Sequence, residues 1–250
     1  EDLKYIIQQF KTEGITDLIL DLRFNNGGSV ELARYLAASI AGTSHRSDVF
    51  MKMQRSSGAD EYIRFGDGDD LNLKSVRIIC SEETASASEL IISGLRGIDF
   101  PVKLFGSRTE GKNVGMEVQE YKYGNKYYEF APITFRSFNA KDWGDYADGI
   151  DPDVMLNNQN SNYEDDIDNV FPYAFGDWDN FDFNYPLYWA LCDVQGVDPM
   201  TGEPVKRSGR SGMTRSQPDE IIRVPSVPLK RPAGTFGSLI YNKPEVENLY

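Results

Sequence analysis

Residues 81–90, with the sequence SEETASASEL, place a serine where a hydroxyl group could act as a nucleophile. An apolar run of strand length precedes this segment and a helical pattern follows it, which predicts Ser86 at a strand-to-helix turn. A serine at such a turn can present its Oγ at the sheet edge, where the next backbone N–H groups point outward with partial positive charge. Those N–H groups could stabilise the oxyanion that forms when the hydroxyl attacks a carbonyl, an effect of about 10²–10³ in rate per donor.

The same residues have a purely structural interpretation. Ser86 and Glu89 match the spacing of a helix capping box, in which the serine hydroxyl satisfies a backbone donor and does nothing more. Capping boxes are common and nucleophiles are rare, so Ser86 by itself does not establish an active site.

A nucleophilic serine also needs a base. The chain has one histidine, His45, in a polar loop (GTSHRSD) that favours a solvated surface position. The alternative is a lysine kept neutral by desolvation. Lys112 lies in the segment GSRTEGKNVG, 26 residues after Ser86, and one helix plus one strand of that length would return the chain to the same sheet edge. The structural alternative is a surface lysine in a turn.

A third segment, residues 21–28 (DLRFNNGG), ends in a glycine pair. Glycine permits positive φ and close approach of the backbone to a ligand, so the amides of this turn could form half of an oxyanion hole. A plain strand-to-helix turn explains the same residues.

The elements around these segments predict an α/β fold. Apolar residues at helical spacing over residues 3–10, stopped by Gly14, predict a helix; a strand over 15–22 and a helix over 30–40 follow. Further strands are predicted at 49–55, 62–65, 76–80 and 102–105, with a helix at 87–95. Residues 118–123 and 126–130 predict a hairpin, whose sheet is extended by residues 131–135. A short helix is predicted at 186–192.

Composition limits the possible partners of the protein. With 26 basic and 39 acidic residues the net charge is −13, which disfavours nucleic acid as a partner. Two cysteines, Cys80 and Cys192, exclude a disulfide framework or zinc cluster and favour buried thiols. No apolar stretch approaches the roughly 18 residues of a membrane span, and no signal peptide is visible. The opening helix has no strand before it, so we expect the native protein to extend upstream.

Two domains are expected, a core over 1–156 and a C-terminal part over 157–250 that packs on it. The C-terminal part is first acidic and aromatic, then rich in Pro and Gly. The acidic residues 177–182 could suggest calcium, but they lack the Gly and terminal Glu of an EF-hand loop, which favours a solvated loop. We predict no metal site and no cofactor.

In this order, DLRFNNGG, TASASEL and GSRTEGK resemble the motifs of the C-terminal processing, or tail-specific, proteases. The sequence GIDPD at residues 149–153 resembles a fourth motif of that family. The resemblance implies a ClpP/crotonase-like core of stacked β/β/α units and a serine endopeptidase with a polypeptide substrate. It implies that Ser86 is the nucleophile and Lys112 the general base. The amide of Ala87, with that of Gly27 or Gly28, would then form the oxyanion hole. The family works mostly in the periplasm or at the cell surface.

Three departures from the family pattern bear on the site. Met116 stands where a glutamine often orients the lysine, and neither Glu117 nor Gln119 can be placed from sequence. Thr84 occupies a position where some members have a serine, which leaves Ser88 as the nearest rival nucleophile, expected to face the core or to cap. A PDZ-like module usually precedes this region and is not visible here.

Two other functions remain open from sequence. A non-catalytic relative of the same fold could bind a ligand or a protein, and such a module would be indifferent to Lys112→Met. An acyl-CoA enzyme of the crotonase type would explain the glycine-rich turn, but it has no need for the later Ser–Lys spacing and is disfavoured. Oligomeric state and substrate sequence are not predicted.

Overall fold

A computed structural model describes residues 2–156 and 181–205 of the chain. The helices are α1 (Asp2–Glu13), α2 (Val30–Ala41), α3 (Ala87–Gly97) and α4 (Phe181–Gln195), with a 3₁₀ turn at Thr43–His45. The strands are β1 (Ile19–Asp21), β2 (Val49–Arg55), β3 (Glu61–Arg64), β4 (Val76–Cys80), β5 (Val102–Gly106), β6 (Val114–Met116), β7 (Gln119–Tyr123), β8 (Lys126–Phe130), β9 (Ile133–Phe138) and β10 (Val154–Met155). The α/β class predicted from sequence is confirmed.

The central feature is a four-stranded parallel sheet in the order β1-β4-β5-β10. Strand β4 lies inside this sheet and is buried along nearly its whole length, which is why its sequence is almost wholly apolar. Ile78 and Leu104, paired in register, belong to the main core, on which α2 and α3 also pack. Ile79 and Phe105 come one residue later and therefore face the opposite side of the sheet.

Helix α4 packs against β1, β4 and β5 of this sheet. Asp193 of α4 anchors the contact, since its carboxylate accepts a hydrogen bond from Arg77 at 3.0 Å and one from Lys103. Arg77 and Lys103 are register partners on neighbouring strands. One carboxylate therefore ties the later part of the chain to both strands.

An antiparallel sheet in the order β3-β2-β9-β6 lies on the other side of α3, where Gly94 packs against Phe50 of β2. A separate two-stranded hairpin is formed by β7 and β8. The prediction that residues 131–135 extend the hairpin sheet is wrong: β9 begins at Ile133 and pairs with β2 and β6 instead.

The other predicted elements differ from the structure mainly at their ends. The strand predicted over 15–22 is shorter, because residues 14–18 connect α1 to β1. The helix predicted over 186–192 is longer and contains Pro186 in its interior. Strands β6 and β10 were not predicted, since two or three residues are too few for a periodic pattern.

Candidate active site

Three loops meet at the carboxyl edge of the parallel sheet, where β1, β4 and β5 end. They carry the DLRFNNGG turn, Ser86 and Lys112. Backbone hydrogen bonds join them side by side: the Ala85 amide donates to the Asn25 carbonyl at 3.1 Å, and the Glu110 amide donates to the Thr84 carbonyl at 3.1 Å. The return of the chain to one sheet edge, predicted from the Ser–Lys spacing, is therefore observed.

The backbone of Ser86 is strained in a way that capping does not require. Its φ and ψ are 56° and −117°, whereas the cap of α2, Ser29, has −70° and 121° and accepts a hydrogen bond from Leu32 N at 3.3 Å. An N-cap residue is normally extended, as Ser29 is. A non-glycine residue at positive φ costs about 1–3 kcal/mol and persists when its surroundings impose it. The capping box that the sequence offered as the structural alternative is also present, with the Ser86 amide donating to the Glu89 carboxylate. Ser86 is partly exposed.

The hydroxyl groups of the neighbouring residues Ser88 and Thr84 form hydrogen bonds within the fold. Ser88 is buried, and its Oγ donates to Asn25 Oδ1 at 2.9 Å. Thr84 is fully buried, and its Oγ1 donates to the Leu22 carbonyl at 2.8 Å. Ser88, the rival serine expected to face the core or cap, thus braces the glycine-rich turn. Of Thr84, Ser86 and Ser88, Ser86 is the one that is not buried.

Glu89 connects the serine turn to the lysine loop. Its carboxylate is 0% exposed and accepts four hydrogen bonds. Oε2 accepts from the amides of Ser86, at 2.9 Å, and Lys112, at 2.8 Å. Oε1 accepts from the Thr109 hydroxyl at 2.6 Å and the Gly111 amide at 2.8 Å. An ionised carboxylate accepts only, so four donors suit its charge, as does its place in the first turn of α3.

One carboxylate oxygen thus holds the backbones of Ser86 and Lys112 within hydrogen-bonding reach of a common point. The capping-box motif predicted the hydrogen bond from the Ser86 amide to the Glu89 carboxylate. It did not predict the hydrogen bond from the Lys112 amide to the same carboxylate. That second bond joins residues 23 positions apart. The available signal was an acidic residue in the first turn of a mostly apolar helix, since acidic side chains are rarely buried without partners.

Lys112 is partly buried, and the structure fixes its loop on both sides. Gly111, at φ 97°, lies so close to the backbone of residues 147–149 that an added Cβ would be 2.4 Å from the Ala147 carbonyl oxygen. Asn113 donates from its side chain to the Gly144 carbonyl at 2.7 Å. Within the described residues, no ion pair or hydrogen bond engages the Lys112 ammonium. Contacts on both sides therefore fix the backbone of the loop that carries Lys112.

The glycine pair lies directly against the serine turn. A Cβ added to Gly27 would be 2.8 Å from the Ala87 amide nitrogen and 2.8 Å from Ser86 Cβ, so only glycine fits. The Gly27 amide itself donates to Asn25 Oδ1 at 3.1 Å and is therefore occupied. Of the two glycines predicted from sequence, Gly28 is therefore the one whose amide has no acceptor within the described residues.

His45 is not part of this cluster. It follows α2, a helix of 12 residues and therefore about 18 Å long, whose other end begins beside the glycine pair. Its Nδ1 lies 2.8 Å from Asp48 Oδ2. The surface position predicted for His45 agrees with this arrangement.

The structure shows the surroundings of all three residues near the position where a glutamine was expected to orient Lys112. Glu117 forms a two-point pair with Arg55, at 2.9 and 2.8 Å, which lowers the pKa of Glu117 through the hydrogen bond. Gln119 begins β7 of the exposed hairpin. Met116 is 43% exposed at the end of β6 and has no polar atom to orient an ammonium group.

Other chemistry finds little support in the described ranges. No group of three or more His, Cys, Asp or Glu side chains there could hold a metal ion. Of the acidic segment, residues 177–180 lie outside the described residues, and the remainder opens α4. Cys80 and Cys192 are buried free thiols, and burial raises the pKa of Cys80 to about 12. None of the described helices is long and apolar enough to cross a membrane.

Comparison with known proteins gives consistent results. The model of Peptidase family S41 matches residues 1–156. A "Probable CtpA-like serine protease" from Staphylococcus haemolyticus (strain JCSC1435) is 26% identical over 158 residues, covering 62% of this chain and 30% of that protein. A protein of the same name from Staphylococcus aureus (strain bovine RF122 / ET3-1) is 26% identical over 181 residues, covering 71% and 35%.

Among solved structures, a "Putative S41 protease" from Bacteroides fragilis NCTC 9343 matches with a TM-score of 0.64 and 24% identity. The match covers 78% of this chain and 49% of that one, and it supports the ClpP/crotonase-like fold. The curated relatives that the chain resembles are both named as serine proteases. Because the family model covers more than half of the sequence, the chain belongs to peptidase family S41. It spans about a third of the length of the curated relatives it matches.

Proposed function

We propose that this chain carries the catalytic core of a serine endopeptidase that works with a Ser86–Lys112 dyad. The observation that supports this best is the bridge through Glu89, which holds the backbones of both residues from one buried carboxylate oxygen. A serine that only capped α3 would need neither the strained backbone of Ser86 nor a link to the lysine loop.

In the proposed reaction, Lys112 acts as the general base and takes the proton of the Ser86 hydroxyl as Oγ bonds to the peptide carbonyl carbon. The carbonyl oxygen becomes an oxyanion. When the tetrahedral intermediate collapses, the C–N bond breaks and the lysine returns the proton to the departing amine. Water then attacks the acyl-serine ester with Lys112 again as base, which releases the carboxylic acid and restores the serine hydroxyl.

The oxyanion would be stabilised by two backbone amides, those of Ala87 and Gly28. The Ala87 amide is the first of α3 and carries the partial positive charge of the helix start. The Gly28 amide has no acceptor within the described residues. Each such donor contributes about 10²–10³ in rate when it is fixed before the reaction.

Proteolytic processing of proteins outside the cytoplasm, in the periplasm or at the cell surface, is the proposed setting. It rests on the resemblance to the tail-specific proteases. Because the chain spans about a third of its relatives' length, we also propose that upstream parts select the substrate.

Hydrolysis of unfolded polypeptide tests the proposal. We expect cleavage by the wild type and loss of at least 10³-fold in Ser86→Ala and Lys112→Ala, because each removes a group that the chemical step requires. His45→Ala serves as the matched control, since it removes the single histidine at the far end of α2, and should leave the rate unchanged. Full activity in Ser86→Ala would overturn the proposal.

The exposed Met116, in a position where the family often has an orienting glutamine, supports a non-catalytic binding relative as the second candidate. Lys112→Met distinguishes the two. Partner or ligand binding would survive this substitution, whereas peptide hydrolysis would not.

A further inference from the structure

Two residues with an unusual backbone conformation, Ser86 and Phe24, lie at the candidate active site. Five non-glycine residues of the described ranges have positive φ. Three of them are Asn72, Asp99 and Asp142, residue types that adopt this conformation comparatively often. The other two are Ser86 and Phe24, at φ 56° and 58°. For a bulky side chain such as phenylalanine this conformation is a true outlier.

Phe24 lies on the loop that contacts the serine turn. Its amide donates to Ser81 Oγ at 3.4 Å, at the start of the segment that leads to the serine. The carbonyl of the next residue, Asn25, accepts from the Ala85 amide at 3.1 Å. Three residues after Phe24, Gly27 touches Ser86. Phe24 therefore lies on the loop that borders the candidate active site.

Packing among the residues that the structure describes does not explain the Phe24 ring. Phe24 is 41% exposed and belongs neither to the buried core nor to the partly buried residues packed against it. At positive φ glycine would satisfy the backbone with less strain, and an exposed position gives no reason for a large apolar side chain. Backbone strain that packing does not require is a feature of functional sites.

We propose that Phe24 is a specificity-determining residue, whose ring forms one wall of a subsite for an apolar side chain next to the scissile peptide bond. This proposal rests on the proposed peptidase function and deepens it. A peptide lying across Ser86 must pass the rim of the glycine-rich loop, where the phenyl ring offers apolar surface. A substrate side chain that covers this ring removes both apolar surfaces from water.

Phe24→Gly separates this role from a structural one. The substitution removes the ring and relieves the backbone at once, so the melting temperature should stay the same or rise. On peptides that differ only at one residue beside the cleaved bond, kcat/KM for Leu or Phe should fall about tenfold or more, in the range that loss of contacts in an apolar pocket produces. For Ser or Asp at that position it should change less than about threefold.

Two further variants complete the experiment. Phe24→Leu keeps apolar bulk and should retain the preference. Asn72→Gly relaxes a positive-φ residue (φ 54°) on the loop before β4 and should raise stability without altering cleavage. Preference for apolar residues that survives in Phe24→Gly would overturn the proposal, as would a uniform rate loss accompanied by a lower melting temperature.

Failure of the underlying function gives a different pattern. If the wild type cleaves none of the peptides and a fluorophosphonate does not label Ser86, the peptidase proposal itself is contradicted, and the subsite with it. If Phe24→Gly labels at the wild-type rate but loses its preference, both proposals are supported.

Discussion

Glu89→Gln tests the bridge between the serine and lysine loops. The amide keeps the shape of the carboxylate but replaces one acceptor oxygen with a donor. If its nitrogen took the place of Oε2, it would face the N–H groups of Ser86 and Lys112. In the place of Oε1 it faces the Gly111 amide and the Thr109 hydroxyl, which can rotate to accept. The second orientation is therefore favoured, and one buried N–H, that of Gly111, loses its acceptor.

The expected loss of stability follows from the hydrogen bonds that the substitution removes. A hydrogen bond to a charged group contributes about 1.5–3 kcal/mol, and a buried donor left unsatisfied costs about 1–3 kcal/mol. We expect Glu89→Gln to lower the free energy of unfolding by about 2–4 kcal/mol. For a folded region of this size that corresponds to a fall in melting temperature of roughly 5–15 °C. Because the loop of Lys112 shifts with Gly111, kcat should also fall, by about tenfold or more, with little change in KM.

Urea unfolding and steady-state peptide hydrolysis, measured well below the melting temperature, give the two quantities separately. Glu83→Gln is the matched control, since Glu83 is exposed on the same loop and should change neither. A loss of stability with unaltered kcat would show that Glu89 supports the fold without positioning the dyad. No change in either quantity would refute the hydrogen-bond network itself.

Three further predictions follow from the same contacts. Ser86→Gly should raise the free energy of unfolding by about 1 kcal/mol in urea, because glycine relieves φ 56°, while hydrolysis is lost; a less stable variant would contradict the strain argument. Gly27→Ala should reduce kcat at least tenfold, because its Cβ would lie 2.8 Å from Ser86 Cβ; wild-type kinetics would refute the close contact. Burial raises the pKa of Asp193, but hydrogen bonds from Lys103 and Arg77 outweigh it and hold the pKa below its usual value. The stability from Asp193 is therefore present above pH about 4 and lost as the pH falls further, so Asp193→Asn should cost about 1 kcal/mol at pH 7 and flatten the acid limb of a thermal-melt pH series.

The sequence predicted the parallel-sheet strands and the helices around the site well, because long apolar runs and helical periodicity leave few alternatives. Residues 76–80 match β4 to the residue. The partner of β9 was predicted wrongly, since its pairing with β2 joins segments about 80 residues apart and no local pattern encodes that contact.

The candidate site likewise has features that the sequence predicts and others that depend on tertiary contacts. Motif order and spacing placed Ser86, Lys112 and the glycine pair at one sheet edge, where the structure has them. The distinction between Gly27 and Gly28 required the structure, because it depends on which amide the Asn25 side chain occupies. The bond from Glu89 to the lysine loop likewise depends on tertiary packing. No feature of the described residues supplies a replacement for an orienting glutamine at Met116.

The most direct test of the dyad is labelling of the intact chain with a fluorophosphonate, with the modified residue located by mass spectrometry. We predict a single adduct on Ser86 that is absent in Ser86→Ala, strongly reduced in Lys112→Ala and unchanged in His45→Ala. A folded wild type that is not labelled, or an adduct whose rate is indifferent to Lys112, would contradict an activated Ser86–Lys112 pair.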